Sequence, residues 1–235
     1  MQNLIVNMPL PKFPPVETSD NDTGLLAMGG SLDIDLLLHA YRSGIFPWPV
    51  TADHALLWFA PKMRAVLFTK DFHISSSLKK SISNNHYSIT IDKDFDGVLR
   101  ACAESGIRKS QGTWITPTIV TAYNALHKAG YAHSVECYGE EGKLLGGLYG
   151  VSIGKMFAGE SMFHIETDCS KICLCYLVDY LKERGVEWID CQQLTPLLQS
   201  FGAVEIPQAE FMELLNKAIN EPVDLFAEHN EQIRM

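Results

Sequence analysis

Asp190 and Gln192 stand two residues apart in the run Val186-Glu187-Trp188-Ile189-Asp190-Cys191-Gln192. In a regular strand side chains alternate, which puts Val186, Trp188, Asp190 and Gln192 on one face and Glu187, Ile189 and Cys191 on the other. A carboxylate and an amide sharing a face at a strand's C-terminal end can orient a nucleophile and accept its proton without a metal. The same pair can instead satisfy backbone donors at a sheet edge, a purely structural role. Glu160 is a second candidate, ending the strand-like run Lys155 to Glu160 with Gly159 before it and Ser161-Met162-Phe163 after it. Half enclosed by apolar groups, its carboxylate suits either recognition of a cationic amine or proton transfer from a raised pKa; the alternative is bonding to local N–H groups.

Three aromatic stretches, Phe46-Pro47-Trp48, Trp58-Phe59-Ala60-Pro61 and Gly112-Thr113-Trp114-Ile115, can stack nucleotide bases, close an apolar cleft or simply fill the core. Six cysteines include no Cys-x-x-Cys. The spacing of Cys169, Cys173 and Cys175 fits no common zinc pattern, so it reads as helix packing and no metal is expected. There is no Walker loop, no Gly-x-Gly-x-x-Gly opening a helix after a strand, no Gly-x-Ser-x-Gly and no His-Glu-x-x-His. NTP hydrolysis, dinucleotide chemistry and triad hydrolysis therefore lose support.

The elements that must position these residues follow from periodicity and punctuation. Leu32, Leu36, Leu37, Ala40 and Tyr41 have helical spacing, with Asp33 and Asp35 in the first turn and Gly44 past the end. Gly44-Ile45-Phe46-Pro47-Trp48-Pro49 then runs extended, because two prolines forbid helix. A boundary near Pro61 separates a small N-terminal domain, 1–62, from a larger one, 63–235. Within the latter, Ala65 to Phe68 reads as a strand, and Ser75 to Ser83, Phe95 to Ala103 and Thr118 to Ala129 as helices. Ala132 to Tyr138, Leu144 to Val151 and Lys155 to Glu160 form a three-strand meander. Thr167-Asp168 then caps a helix from Cys169 to Arg184, followed by the strand Val186 to Cys191 and a helix from Gln208 to Ile219. Meander, helix, strand is an α+β order in which the sheet can split where the last strand joins. It resembles that of acyl-CoA N-acyltransferases, but the nearest string to their pyrophosphate loop, Gln199-Ser200-Phe201-Gly202-Ala203-Val204, ends in Val and leads into an extended segment. Coenzyme A is not expected.

Composition is that of a folded globular chain, 46% apolar and 20% charged, long enough to bury a substantial core. Met1 to Pro15 lacks the pattern of a secretory signal and no run of eighteen apolar residues occurs, so the chain reads as cytosolic. The net charge of -9 argues against phosphate binding, yet residues 62–109 hold nine Lys/Arg against five Asp/Glu. That is either a local phosphate site or a solvated surface of mixed charge.

Taken together, Gly44-Ile45-Phe46-Pro47-Trp48, Gly112-Thr113-Trp114-Ile115-Thr116, His133-Ser134-Val135-Glu136, Gly146-Gly147-Leu148-Tyr149-Gly150, Gly159-Glu160-Ser161-Met162-Phe163, Ser170-Lys171 and Ile189-Asp190-Cys191-Gln192 closely resemble the leucyl/phenylalanyl-tRNA protein transferases, from about Leu25 to Gly202. The resemblance implies a small N-terminal domain and a catalytic domain with the acyl-CoA N-acyltransferase (GNAT-like) fold, used without coenzyme A or any other cofactor. It implies transfer of Leu or Phe from aminoacyl-tRNA to proteins beginning with Arg or Lys, marking them for degradation, by a cytoplasmic monomer with no membrane partner. Carried over by position, the aminoacyl pocket comprises Leu148, Phe157, Gly159, Met162, Leu174, Leu177 and Ile189, with Glu160 at its rim. Trp48 and Trp114 match positions near the terminal adenosine, and Lys79 and Lys80 a basic pair on the tRNA. Asp190 and Gln192 become the catalytic pair, Gln192 oriented by Asp190 and accepting a hydrogen bond from the attacking amine.

The chain departs from the family pattern at His164-Ile165, where Ser-Arg is usual, at Cys169 in place of Ala, at Thr195 and Leu197 in place of Asn and His, and at Gln208 in place of Arg. These changes bear on tRNA grip and acceptor choice. They leave room for a relative that uses another activated donor or acceptor, or for a non-catalytic binder of tRNA ends or N-termini.

Overall fold

The computed structural model describes residues 13–48, 56–84, 87–104, 113–227 and the backbone of 233–234. Residues 1–12, Pro49, Arg108, Lys109 and Gly112, all used in the sequence reading, lie outside the described residues.

Two sheets organise the chain. The smaller has the order β1-β3-β2, from β1 (Leu25–Met28), β2 (Phe46–Pro47) and β3 (Leu57–Phe59). Between β1 and β2 runs α1 (Ile34–Arg42), where Asp33 is the N-cap and accepts from Leu36 N–H at 2.9 Å. Gly44, at φ +73°, turns the chain out of α1 into β2, a conformation open to glycine without a Cβ penalty.

The larger sheet has eight strands in the order β10-β4-β9-β8-β7-β6-β5-β11. They are β4 (Met63–Phe68), β5 (Ser88–Ile91), β6 (Ala132–Tyr138), β7 (Leu144–Ile153), β8 (Met156–His164), β9 (Trp188–Gln192), β10 (Val204–Pro207) and β11 (Ile233–Arg234). The helices are α2 (Ser76–Asn84), α3 (Phe95–Glu104), α4 (Pro117–Lys128), α5 (Cys169–Glu183), the short α6 (Pro196–Ser200) and α7 (Gln208–Ile219). One face of the sheet buries Val66, Tyr149, Val151 and Trp188 against α1, α3, α4 and α7, in a single apolar cluster that also holds Phe46 and Trp58 of the small sheet. The other face buries Leu148, Phe157 and Ile189 against α2, α5 and the chain after α7.

β8 and β9 are parallel and pair only at Ala158 and Asp190, so the sheet does split where the strand after α5 joins. The fold is thus the α+β arrangement expected, with a split sheet and a small N-terminal unit. Several details differ. β7 continues to Ile153 and β8 to His164, so the turn is Gly154-Lys155 and Glu160 lies inside a strand. Asp168 precedes α5 at φ +70° without a capping bond from its side chain, which instead accepts from Lys171 at 2.7 Å. The extended segment expected from Val204 is β10, whereas the strands β1, β3 and β5 and the helix α6 carried too little periodicity to be read from the sequence.

Candidate functional site

The parted strands β8 and β9 flank a cavity of about 350 Å³. Its apolar floor is Leu148, Phe157, Met162, Leu174, Leu177 and Ile189, and its aromatic wall is Phe46, Trp48, Trp114 and Tyr149. Gly159, Glu160, Cys191 and Gln192 line the gap between the strands, with Gln193, Thr195, Leu197 and Leu198 beyond.

Two β-bulges border this gap. On β8, Ser161 lies opposite Tyr149 and Gly159 opposite Gly150, leaving Glu160 as the extra residue. On β9, Gln192 lies opposite Ala65 and Asp190 opposite Val66, leaving Cys191 as the extra residue. Bulges re-aim side chains locally and are common beside binding sites. The one on β9 overturns the expectation that Asp190 and Gln192 share a face: they oppose successive residues of β4, and successive residues point opposite ways. Gln192 lines the cavity and Asp190 does not.

Asp190 instead closes a buried ion pair. Arg64 Nε and Nη2 donate to Asp190 Oδ1 and Oδ2 at 2.8 and 2.7 Å, and both residues are 2% exposed. The guanidinium lies 4.6 Å from each of the Phe46 and Phe211 rings and donates a third bond, 3.2 Å, to Gly44 O. Five donors in a planar fork suit Arg to this setting where Lys would not. Asp190 Oδ1 also accepts the Gln192 backbone N–H at 3.0 Å, holding Gln192 at φ +55°. The Gln192 side-chain nitrogen is buried and has no hydrogen-bond partner among the described residues. An unsatisfied buried donor costs about 1–3 kcal/mol, which marks it as available to a ligand.

Glu160 accepts from Tyr41 of α1 at 2.7 Å and from Tyr123 of α4 at 3.2 Å, and the two hydroxyls are 2.5 Å apart. Burial pushes its pKa up to about 7; the tyrosine bonds oppose the shift and the Asp190 charge adds to it. Burial also raises both phenols well above their usual value, so both remain donors. The Cys191 thiol is likewise raised by burial and stays protonated.

Trp48 is set against the wall by its backbone N–H, which donates to Leu57 O at 2.9 Å and extends the β2–β3 pairing. Trp114 is held by bonds on either side, Thr116 N–H to Trp114 O and Ile115 N–H to Thr113 Oγ1, both 3.0 Å. Trp58, flagged in the same class, is core: it is 1% exposed and its indole N–H donates to Gly29 O at 2.8 Å.

All seven pocket positions, with Glu160, Gln192 and both expected tryptophans, therefore meet at one cavity. Lys79 and Lys80 are exposed on α2, outside its lining. His133, Ser134 and Glu136 brace the corner between β5 and α3 instead, with His133 on Asp92 at 2.6 Å and Glu136 accepting from Thr90 and Ser134. Among the departures, Thr195 and Leu197 line the cavity, Ile165 is exposed, and Gln208 donates to Ala60 O at 2.8 Å. Cys169, Cys173 and Cys175 are buried on α5.

Sequence reasoning missed Arg64, Tyr41 and Tyr123. Arg64 had a readable signal, a cation inside an apolar strand run, which requires a buried partner.

The chain matches the family described as leucyl/phenylalanyl-tRNA protein transferase over residues 66–216, and that family's N-terminal domain over residues 30–62. It is 49% identical to the leucyl/phenylalanyl-tRNA protein transferase of Syntrophobacter fumaroxidans over 211 residues, 90% of this chain and 89% of the relative. The enzyme of that name from Pseudoalteromonas atlantica is 45% identical, with the same coverage of each chain. The crystal structure of FemX superposes with a TM-score of 0.48 at 11% identity, covering 78% of this chain and 71% of that one.

Proposed function

This chain belongs to the leucyl/phenylalanyl-tRNA protein transferase family, and on that premise we propose that its cavity holds the 3′ end of Leu-tRNA or Phe-tRNA while a protein's N-terminal amine attacks the ester. The nitrogen bonds to the aminoacyl carbonyl carbon, the ester C–O bond breaks, and the terminal ribose oxygen leaves with a proton supplied by the amine. The ester is already activated, so no cofactor is consumed.

The observation that carries this reading is the division of one cavity into an apolar floor, an aromatic wall and a polar gap containing Gln192, whose side-chain nitrogen has no partner among the described residues. The floor takes the Leu or Phe side chain, with each methylene worth about 1–3 kcal/mol of discrimination. Trp48 and Trp114 stack the terminal adenosine. In the gap, Gln192 Oε1 accepts from the attacking amine and its Nε2 donates to the carbonyl oxygen as negative charge gathers there. A neutral amide is too weak a base to remove the proton outright, so its contribution is alignment. Asp190, with both oxygens held by Arg64, is a positioning residue that fixes Gln192 through its backbone. Glu160, which lines the same gap, meets the acceptor's cationic α-ammonium on entry; the amine attacks in its neutral form, after that extra proton has left to solvent.

The acceptor is a protein beginning with Arg or Lys, and Lys79 and Lys80 touch tRNA phosphates. The boundary after Lys62, a monomeric state and a cytosolic setting belong to the same reading. The test is transfer of labelled leucine from Leu-tRNA to a model protein beginning with Arg, beside one beginning with Ala. Arg-selective transfer supports the reading; no transfer to either, with tRNA intact and protein folded, overturns it.

A further inference from the structure

We infer that Phe226, in the segment after α7 and outside both family-matched ranges, is a specificity-determining positioning residue that sets the depth of the apolar floor. The inference rests on the transferase reading above and names a determinant that the cavity lining does not include.

Phe157 is the floor residue through which Phe226 acts. Its ring has two close neighbours. A Cβ on Gly150 would come within 2.5 Å of Phe157 Cε1 and Cζ, so glycine is what admits the ring there. The Phe226 ring packs against it, with centroids 5.8 Å apart and planes at 41°. Phe226 is itself fixed. It stacks on His133 at 4.0 Å and 7°, and on Tyr180 at 5.5 Å and 28°. Tyr180 donates to Leu225 O at 2.9 Å, and His133 is anchored on Asp92. Phe226 is 5% exposed, so it is a rigid backstop rather than a loose tail residue.

Interiors packed this closely transmit a lost ring to their neighbours. With Phe226 shortened, Phe157 retreats, the floor deepens, and the larger of two apolar aminoacyl groups gains more contact than the smaller. The donor ratio, Phe over Leu, therefore rises.

The experiment is an internal competition: wild type, Phe226→Ala and the gentler Phe226→Leu each receive equal Leu-tRNA and Phe-tRNA with one Arg-initiated acceptor, and the product ratio is read. A shared reaction cancels any loss of folded enzyme. The expected result is a rise in the Phe-to-Leu ratio of about tenfold for Phe226→Ala and less for Phe226→Leu. If Phe226→Ala does not fold, Phe226→Leu carries the test alone. A ratio unchanged from an active wild type overturns this inference and leaves the transferase reading standing; a wild type that transfers neither donor overturns the transferase reading itself.

Discussion

Arg64 and Asp190 neutralise one another by two hydrogen bonds in a position that neither shares with the cavity. The pair ties together β4, β9 and, through Gly44 O, the turn after α1. Breaking it leaves a buried charge uncompensated, at a cost of about 3–5 kcal/mol. Asp190→Asn and Arg64→Gln should each lower the urea midpoint markedly. The double replacement Arg64→Met with Asp190→Leu should recover much of that stability but not single-turnover transfer, because Gln192 N–H still lacks its acceptor. Normal transfer in the folded double replacement, which has no acceptor left for Gln192 N–H, would refute the positioning role.

Glu160 should make stability fall as pH rises. Its folded-state pKa of about 7 stands above the ordinary 4.5, so between those values the native state holds a proton that the unfolded chain has lost. The penalty is absent below about pH 4.5, grows through the window and is complete above about 7, reaching up to roughly 3 kcal/mol. Glu160→Gln should be more stable than wild type at pH 8 and indistinguishable from it near pH 4.5, measured by denaturant unfolding. An equal difference at both pH values would count against it.

Tyr41→Phe and Tyr123→Phe remove hydrogen bonds that hold the Glu160 pKa down. Each should move the Glu160 transition to higher pH, Tyr41→Phe further because its bond is the shorter. The pH profile of single-turnover transfer, or direct titration by NMR, reads the shift; movement to lower pH would contradict the network.

Gly159 and Gly150 face each other across β7 and β8 yet should respond oppositely to alanine. A Cβ on Gly159 meets only Asp190 O, at 3.8 Å, whereas one on Gly150 meets Ala158 O at 2.3 Å and the Phe157 ring. Gly159→Ala should change stability by less than about 0.5 kcal/mol while narrowing the gap and slowing transfer. Gly150→Ala should destabilise by about 1–3 kcal/mol through overpacking. Thermal melts beside transfer assays separate the two.

Trp114→Ala should weaken aminoacyl-tRNA binding by about 1–3 kcal/mol, the worth of one stacked base, with the salt dependence unchanged. Lys79→Ala should do the reverse, reducing the slope of log affinity against log salt by about one. A salt titration of both variants would expose the assignments as wrong if the two patterns were exchanged.

Much of this site was legible before any coordinates, for identifiable reasons. Leu148, Gly159, Met162, Ile189, both tryptophans, Glu160 and Gln192 lie in strings whose order along the chain is distinctive, Phe157, Leu174 and Leu177 follow from them by position, and all of them reach one cavity. Ala132–Tyr138 and Gln208–Ile219 were readable to the residue, the first because Gly130 and the turn at 139–143 bound it, the second because its apolar residues keep helical spacing. Tyr41 and Tyr123 were not, since each sits on a helix stripe where an aromatic is ordinary core, and only the partner 119 or 37 residues away reveals the polar end.

Local pattern by itself determined the α+β class, the meander, the helix after it and the residue types gathered at the site, because alternation, capping and turn chemistry act between near neighbours. Which way those residues point was decided only in three dimensions. A bulge depends on how two strands register, and the extra residues Glu160 and Cys191 exist only relative to β7 and β4. The Arg64–Asp190 pair spans 126 positions, and its choice over a catalytic exposure of Asp190 follows from the cost of burying either charge alone.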